Sequence, residues 1–508
     1  MAVATLSPPP RKSLEPWIYD TVQYYPHQVE GIRLLANRTS FLLADDMGLG
    51  KSLQALTVFA IDVVRGWAQT AIVVAPVTLK GNWSDEIVKF SSFPHIVLGV
   101  KENPDNPMKP KILMPAARRQ QLEEFSKIEG PKILVVNYEQ VVAHIKELNL
   151  MRFDVAIYDE AHYMKNPKSK RTKASLSLVT KRNFLLTGSP MLNHVNDLWA
   201  LLHKIDPYAY PKYWSFVNRY CVFGGYKDKQ IIGAKNEKEL TDRLQSVMLR
   251  RLKRDVLNLK EPQIIERRVD LSPEQVKIYN EVVNDMRLPR VGEENPDDIE
   301  NALTKFLRLK QICGTTLPFT GEDHSTKLDL AITDSMELIG NGHKLVVFTQ
   351  FRDVQQAYVN RLLAEGHDPA KIYQLHGDIP MPERQGIVKA WGAHEGSKDH
   401  PEEGASVIVC MLQVAGIGLN MTQSRHALFL DKLFVPMLNK QAIDRLHRIG
   451  QDETQPVQVF EYICRKTIEN RVNQILHVKS KLFGEIVETD PLWKAKLYKA
   501  LAEQEDVA

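Results

Sequence analysis

Short runs of apolar residues recur along the first part of the chain, and each run ends in polar or glycine-rich residues. The runs cover 41–44, 71–75, 133–136, 155–158 and 184–186. Because these runs lack polar alternation, they predict strands that are covered on both faces, as in a parallel sheet. Helix-length amphipathic segments lie between them, for example over 53–64. This alternation of strands and helices predicts an α/β lobe.

The same pattern begins again in the second part of the chain. A second set of apolar runs covers 345–348, 372–375, 407–410, 428–430 and 457–460. Between the two sets the chain is charged and has a largely helical pattern. We therefore predict an α/β fold with two parallel-sheet lobes, divided into a flexible tail over 1–20, lobe 1 over 21–205, a helical insertion and linker over 206–320, lobe 2 over 321–485 and a C-terminal helical tail over 486–508.

Composition narrows the class of protein without deciding its function. The 508 residues are 44% hydrophobic and 25% charged, which is typical of a soluble globular protein with several domains. The net charge of +4 permits a nucleic-acid groove but does not require one. The four cysteines form no C-x-x-C pair, and no apolar run reaches the ~18 residues of a membrane helix. We expect no membrane contact and a cytoplasmic location (the host cytoplasm for a viral protein), and a nuclear location stays open.

The first candidate for chemistry is the segment Asp45-Asp46-Met47-Gly48-Leu49-Gly50-Lys51-Ser52. It follows a predicted strand and precedes a predicted helix. A phosphate loop belongs at such a junction, because backbone N–H groups at a helix N-terminus favour an anion. Lys51 would reach the phosphates of ATP, and the hydroxyl of Ser52 would ligate Mg²⁺. Asp45 stands where the usual pattern has its first glycine, so an ordinary glycine turn is the alternative for this segment alone.

An acidic segment, Asp159-Glu160-Ala161-His162, follows the apolar run 155–158. Asp159 is placed to hold Mg²⁺, directly or through water, and Glu160 is placed to polarise the attacking water. A solvated acidic turn is the alternative for these four residues. Together with the upstream phosphate-loop pattern, they predict a site of ATP hydrolysis.

A third segment, Gln441 to Gln451, lies in the second lobe. It places Arg445 and Arg448 three residues apart, and we predict that they share one face of a helix. An arginine fork supplies the positive charge that phosphoryl transfer needs. If Arg448 completes a site that holds Lys51, ATP would close the lobes and hydrolysis would open them. A helix with surface salt bridges is the alternative.

These segments resemble the Swi/Snf-type helicase-like ATPases of superfamily 2, over about residues 22–480. The phosphate-loop segment is similar to that family's D-E-M-G-L-G-K-T, which also lacks the first glycine. The segment 441–451 fits the family's Q-A-x-D-R-x-H-R-I-G-Q throughout. Further similar segments cover 25–31, 187–190, 249–256, 347–351, 375–377 and 414–420. The chain has Phe434-Val435-Pro436 where the family often has Trp-Asn-Pro.

The resemblance implies two RecA-like lobes, ATP and Mg²⁺ as ligands, and a role for individual residues. Nucleotide binding is assigned to Gln28 as the reader of the base and to Asp46, Met47, Gly48, Leu49, Gly50, Lys51, Ser52 and Gly418. Coupling of hydrolysis to movement is assigned to His162, Thr187, Ser189 and Gln441.

The resemblance implies DNA contacts in loops that follow strands, where hydroxyl, amide and ammonium groups suit phosphate. They are Thr78, Lys80, Asn137, Tyr138, Thr349 and Gln350, together with Lys168, Lys170 and Arg171 of a basic run. Plain loop chemistry and a solvated charged face are the alternatives for these residues.

We therefore predict an enzyme that hydrolyses ATP to move along double-stranded or branched DNA, acting as a monomer. The first alternative is a strand-separating DNA or RNA helicase. The second is a nucleotide-dependent clamp that binds DNA or a protein partner with little turnover. Glu160 and Arg448 argue against a clamp, because binding without turnover needs neither residue.

Overall fold

The computed structural model describes residues 14, 16–101, 111–188, 190, 195–224, 230–285, 302–396, 400–415, 419–433 and 436–473. Within these residues there are two compact units, the first ending at Leu257 and the second beginning at Asn258. Each unit is built around its own parallel sheet. The predicted C-terminal tail, 486–508, and most of the predicted N-terminal tail lie outside the described residues.

Unit 1 contains a seven-stranded sheet whose central strands are fully buried. The strands of this unit are β1 (Ser40–Leu43), β2 (Thr70–Ala75), β3 (His95–Val97), β4 (Val100–Lys101), β5 (Lys111–Ile112), β6 (Lys132–Asn137), β7 (Val155–Tyr158), β8 (Arg182–Leu186), β9 (Cys221–Gly224), β10 (Gln230–Ala234) and β11 (Met248–Leu249). The sheet has the order β11-β1-β8-β7-β2-β6-β3, and all its pairs are parallel. Two antiparallel hairpins, β4 with β5 and β9 with β10, lie outside it.

Helices connect these strands, as parallel pairing requires. They are α1 (Pro26–Ala36), α2 (Lys51–Val64), α3 (Lys80–Phe90), α4 (Pro115–Lys127), α5 (Tyr138–Met151), α6 (Lys170–Ser177), α7 (Trp199–Ile205), α8 (Tyr213–Tyr220), α9 (Glu237–Val247) and α10 (Lys253–Val256). The order of the strands brings the carboxyl ends of β1, β8 and β7 side by side at one edge of the sheet. Ligands of open α/β sheets bind at such an edge.

Unit 2 contains a six-stranded parallel sheet with the order β12-β17-β16-β13-β15-β14. Its strands are β12 (Gln263–Val269), β13 (Leu345–Thr349), β14 (Ile372–Leu375), β15 (Val407–Met411), β16 (His426–Phe429) and β17 (Gln458–Cys464). Its helices are α11 (Pro273–Asp285), α12 (Ala302–Gly314), α13 (Leu317–Thr320), α14 (Thr326–Gly340), α15 (Arg352–Ala364), α16 (Met381–Gly392), α17 (Leu412–Ala415) and α18 (Pro436–Ile443). Apolar clusters cover both faces of the sheet.

The predicted fold class is confirmed, since every apolar run of the sequence overlaps a strand of one of the two parallel sheets. The helical insertion predicted over 206–320, in contrast, is not a separate element. Residues up to Leu257 belong to unit 1, where β11 pairs with β1, and later residues belong to unit 2, where β12 pairs with β17. Both strands lie at sheet edges and are half-buried or exposed, unlike the fully buried central strands. None of the helices in the described ranges combines the length and the apolar character that a membrane crossing needs.

Candidate nucleotide site

The phosphate-loop segment joins β1 to α2, and two of its glycines have left-handed backbone angles. The φ angle is 81° at Gly48 and 74° at Gly50. The angle favours glycine, and a Cβ atom on residue 50 would also lie 2.3 Å from Nε2 of Gln28 and displace that amide. Gly50 caps α2, which begins at Lys51. The loop therefore leads directly to the unpaired N–H groups of a helix N-terminus, which favour an anion.

The ammonium group of Lys51 lies inside the curve of this loop. Its Nζ donates to the backbone oxygen of Asp45 over 2.7 Å and to that of Asp46 over 3.1 Å. Within the described residues both hydrogen bonds of this ammonium group go to backbone oxygens, so it can turn to a phosphate without breaking an ion pair. Ser52 follows in the first turn of α2 and is half-buried. The side chains of Asp46, Met47 and Leu49 are buried, so these three loop residues can offer backbone groups to a nucleotide.

Gln28 in α1 lies directly against the loop. Its Nε2 donates to the backbone oxygen of Leu49 over 3.2 Å, and its Oε1 accepts from the backbone N–H of Tyr25 over 3.1 Å. The residue is only 2% exposed. In this conformation the amide holds the loop, and it would have to exchange these bonds to read a base.

Asp159 follows β7 and is held by three groups from different parts of the unit. Its Oδ2 accepts from Nε1 of Trp83 over 2.8 Å, and its Oδ1 accepts from the backbone N–H of Glu160 over 2.9 Å. The hydroxyl of Tyr138 donates to its backbone oxygen over 2.8 Å. Burial and the nearby Glu160 raise the pKa of Asp159 to about 7. A carboxyl in such a place favours a cation beside it.

Glu160 has an unusual backbone for a residue with a side chain. Its φ angle of 46° lies in the left-handed region, a conformation that costs about 1–3 kcal/mol and that persists mainly at functional sites. Its Oε2 lies 3.2 Å from Nδ1 of His162, and the same Nδ1 lies 3.1 Å from Oγ1 of Thr187. The structure therefore brings together Glu160, His162 and Thr187, two of which were predicted to couple hydrolysis to movement.

Two residues that position the site were not assigned to it from sequence. Trp83 is buried in α3, and its indole N–H donates to the carboxylate of Asp159. Arg250 lies after β11, and its Nη1 donates to the backbone oxygens of both Ala44 and Gly188 over 3.2 Å. The similarity of 249–256 to a family segment was the only sequence signal for Arg250. For Trp83 there was no signal, because the partner lies 76 positions away in the chain.

In unit 2, the arginine segment does not have the predicted helical geometry. Helix α18 ends at Ile443, before both arginines. The following backbone tightens into turns, in which Arg445 N–H donates to Ala442 and Leu446 N–H donates to Ile443. The prediction that Arg445 and Arg448 share a helical face is therefore wrong. Arg445 is 8% exposed and Arg448 is half-buried, which makes Arg448 the more accessible of the two, and Gln441 lies buried in α18.

Several of the predicted DNA contacts are instead buried parts of the framework. Lys80 is 5% exposed, and its Nζ donates to Oε1 of Gln140 over 3.0 Å and to the backbone oxygen of Leu98; its burial lowers its pKa to about 7. Asn137 caps α5, and the fully buried Tyr138 supports Asp159. Direct phosphate contact is therefore not available to these three side chains in this structure.

Two hydroxyl groups that were predicted to contact DNA are also buried. Thr349 is fully buried, and its hydroxyl donates to the carboxylate of Asp431. The hydroxyl oxygen of Thr78 is shielded from solvent as well. Gln350 is half-buried, so its amide keeps partial access to solvent.

The basic run keeps the exposure that a DNA contact requires. Lys168 and Lys170 are exposed. Arg171 is partly engaged, since its Nη2 lies 3.2 Å from Oε1 of Glu139 and its guanidinium lies over the ring of Tyr163. Ser189 and Gly418 lie outside the described residues.

The residues of unit 1 fit the ligands that the sequence predicted. The carboxylate of Asp159 and the hydroxyl of Ser52 are oxygen groups of the kind that Mg²⁺ prefers. Burial and the nearby Glu160 raise the pKa of Asp159, and a cation beside this carboxylate would favour its charged form. Lys51 and the N-terminus of α2 supply positive charge for the phosphates of ATP.

Comparison with known proteins places these features in a family. Residues 27–316 match the SNF2-related domain, and residues 330–450 match the helicase conserved C-terminal domain. An uncharacterized ATP-dependent helicase of Mycoplasma pneumoniae is 27% identical over 91% of this chain and 42% of its own length. The putative ATP-dependent helicase/translocase YwqA of Bacillus subtilis is 26% identical over 88% of this chain and 46% of its own length.

The chain thus spans less than half the length of these relatives. Among solved structures, the Sulfolobus solfataricus SWI2/SNF2 ATPase core in complex with dsDNA aligns with 94% of this chain and 96% of its own, at 24% identity and a TM-score of 0.40. The SNF2-related domain match alone covers more than half of the chain. The chain therefore belongs to the family of proteins with an SNF2-related domain.

Proposed function

We propose that this chain hydrolyses ATP and uses the energy to move along double-stranded DNA. One observation carries the first part of the proposal. The phosphate loop, Thr187 and the pair Asp159-Glu160 follow three neighbouring strands, β1, β8 and β7, and so lie at one edge of a single sheet. Side chains join them, since His162 reaches Glu160 and Thr187, and Arg250 reaches Ala44 and Gly188.

Each of these residues has a distinct task in the proposed reaction. Lys51 and the N-terminus of α2 bind the phosphates, and Glu160 orients and polarises the attacking water. Bound Mg²⁺ would neutralise phosphate charge, with Asp159 and Ser52 as its protein ligands. Arg448 of unit 2 would stabilise charge that develops in the transition state. Trp83 and Tyr138 keep Asp159 in place.

The DNA part of the proposal has separate support. The names of matched relatives include a helicase/translocase of Bacillus subtilis and a DNA annealing helicase and endonuclease of mouse, the latter 27% identical over 90% of this chain and 40% of its own length. Lys168 and Lys170 offer exposed positive charge two positions apart, after the acidic segment. Contacts of this kind bind phosphate without reading sequence.

The test is a phosphate-release assay with double-stranded DNA, single-stranded DNA, RNA or no nucleic acid. We expect hydrolysis, stimulated most by the duplex. Glu160→Gln provides the control for contaminating ATPases, since it keeps the shape of the side chain and removes the polarising charge. Tight nucleotide binding without release of phosphate would favour a nucleotide-dependent clamp. Stimulation mainly by RNA would favour an RNA-tracking helicase, and either result would contradict the proposal.

A further inference from the structure

The phosphate loop contains a buried negative charge at an unexpected position. Asp45 stands where the usual phosphate-loop pattern has its first glycine, and it has no solvent exposure. A buried carboxylate is costly unless it is paired and hydrogen-bonded. The backbone oxygen of the same residue accepts a hydrogen bond from the Lys51 ammonium over 2.7 Å. Some group must therefore neutralise Asp45 and fix its position before a negatively charged nucleotide can bind beside it.

Arg251 is that group. Its Nε donates to Oδ1 of Asp45 over 3.0 Å, and its Nη2 donates to Oδ2 over 2.5 Å. This is a two-bonded fork, the geometry that fixes both distance and orientation between guanidinium and carboxylate. The pair is shielded from water, because the Arg251 side chain is 9% exposed and that of Asp45 is not exposed at all.

The same guanidinium also reaches both helices that border the loop. Its Nη1 donates to the backbone oxygen of His27 and lies 3.1 Å from the carboxylate of Glu30, both in α1. Its Nη2 donates to Oε1 of Gln54 in α2 over 3.2 Å. Arg251 thus joins the helix that carries Gln28, the loop, and the helix that begins with Lys51.

The fit around this guanidinium is close enough to dictate a neighbouring residue. A Cβ atom on Gly31 of α1 would lie 2.9 Å from Nη2 of Arg251 and 1.9 Å from Oε1 of Gln54. Glycine inside a helix costs about 0.5–1 kcal/mol relative to alanine. A side chain at residue 31 would displace the Arg251 and Gln54 side chains from their hydrogen-bonded positions.

The backbone next to Arg251 holds the loop as well. The N–H of Ala44 donates to the oxygen of Leu249 over 2.7 Å, and the N–H of Asp46 donates to the oxygen of Arg251 over 2.9 Å. These bonds continue the pairing of β11 with β1 along both sides of Asp45. A segment about 200 residues downstream is therefore built into the wall of the nucleotide site.

We propose that Arg251 is a positioning residue of the nucleotide site, which holds the phosphate loop in its binding shape through the carboxylate of Asp45. The Asp45–Arg251 pair takes the place of the small glycine of the usual loop. Loss of Arg251 leaves a buried negative charge beside the phosphates and frees the loop, so nucleotide affinity falls. Removal of both charges restores much of the affinity, because the uncompensated charge is then gone. The inference rests on the proposed function, because it concerns the site of ATP.

The test compares Arg251→Met, Asp45→Asn and the double variant in the full chain. Affinity is measured with a fluorescent ATP analogue, and KM and kcat by phosphate release. We expect Arg251→Met to raise the dissociation constant and KM by roughly tenfold or more, with a smaller effect on kcat, and the double variant to recover most of the loss. Arg254→Met is the matched control, since this side chain is 68% exposed in the same segment and should leave affinity unchanged.

Two further variants keep the test decisive if Arg251→Met does not fold. Arg251→Lys keeps the charge but loses the fork, and Gly31→Ala pushes on the guanidinium from α1; both should weaken nucleotide binding. An affinity within about twofold of the parent in these variants, or a double variant no better than Arg251→Met, would overturn the inference. A chain that binds ATP without hydrolysing it would contradict the proposed function alone, because the affinity measurements remain valid. A chain that does not bind ATP would overturn both.

Discussion

At the scale of single residues, the nucleotide site separates side chains that hold the framework from side chains that are available for chemistry. The Lys51 ammonium is bonded to two backbone oxygens of the loop. We predict that Lys51→Ala abolishes ATP turnover and leaves the unfolding midpoint within a few degrees of the parent, because no core contact is lost. Phosphate release and circular dichroism measure the two effects, with the exposed Lys89→Ala as a control. Turnover near the parent rate would contradict the phosphate-loop assignment.

His162 is the residue through which Glu160 and Thr187 are joined. We predict that His162→Ala lowers kcat in the presence of duplex DNA more than it lowers the rate without DNA, because it removes the link between the acidic segment and the next strand end. His162→Gln, which keeps a hydrogen-bonding group, should recover part of the stimulation. The measurement is the ratio of kcat with and without duplex at saturating ATP. An unchanged ratio in the alanine variant would make His162 a purely structural residue.

Sequence reasoning predicts candidate residues of the site more easily than their surroundings. Lys51, Asp159 and Glu160 can be proposed because phosphate and Mg²⁺ chemistry restricts both residue type and spacing. The burial of Lys80 and Thr349 could not be foreseen. Their partners, Gln140 and Asp431, lie 60 and 82 positions away, and only the folded sheet brings them together.

At the scale of elements, the central strands are those that the sequence displays most clearly. Central strands of a parallel sheet are covered on both faces and so form uninterrupted apolar runs, which the sequence displays. The edge strands β11 and β12 are short or alternate with exposed residues, and they were assigned to a helical insertion. Their pairing partners, β1 and β17, lie about 200 residues away in the chain, so no local pattern marks them.

The arginine segment continues beyond the end of α18. Arg448 lies beyond the helix and is half-buried. We predict that Arg448→Ala lowers kcat by roughly 10³-fold and leaves nucleotide affinity nearly unchanged, because its charge is needed in the transition state. Single-turnover hydrolysis and equilibrium binding of a fluorescent ATP analogue separate these effects. Loss of affinity with normal kcat would exclude an arginine-finger role.

Helix α14 is fixed to unit 2 by a buried charge pair. The Nζ of Lys327, which has no exposure, lies 2.5 Å from Oε1 of Glu469 and donates to the backbone oxygen of Leu430 over 3.0 Å. Lys327→Met should destabilise the protein by about 3–5 kcal/mol, because it leaves a buried carboxylate without its cation. The double change with Glu469→Gln should be much less harmful. Urea denaturation followed by circular dichroism measures the free energy of unfolding of the single and double variants. Lys389→Met, at an exposed position, is the control. Equal losses of stability in the single and double variants would contradict the pairing argument.

At the scale of the whole molecule, the parts of the proposed cycle belong to two units that the chain connects at Leu257 and Asn258. Lys51, Asp159 and Glu160 belong to the first unit, and Arg448 belongs to the second. The proposed reaction therefore assigns residues of both units to turnover. The exposed basic run lies in the same unit as the phosphate loop, so a DNA contact there would share a framework with the nucleotide.

Movement along double-stranded DNA can be tested with triplex and forked substrates. The protein should displace the third strand of a DNA triplex in an ATP-dependent manner and should not unwind a simple forked duplex. Because we expect phosphate contacts, affinity should fall steeply with salt and vary little with sequence. Lys168→Gln with Lys170→Gln should weaken binding to all sequences and reduce the salt slope by about 1 for each lysine that contacts phosphate. The matched control replaces the exposed Lys212 and Lys238 with glutamine.

These measurements distinguish a duplex translocase from a strand-separating helicase, because the two activities act differently on paired strands. Unwinding requires the enzyme to follow one strand and exclude the other, so robust opening of a fork would identify a strand-separating helicase. A duplex translocase keeps both strands paired and removes only what lies on the outside, such as a third strand. If the control pair changes the salt slope as much as Lys168 and Lys170 do, the basic run is an ordinary solvated surface. If only the variant at Lys168 and Lys170 loses DNA affinity, DNA binds near the acidic segment 159–162.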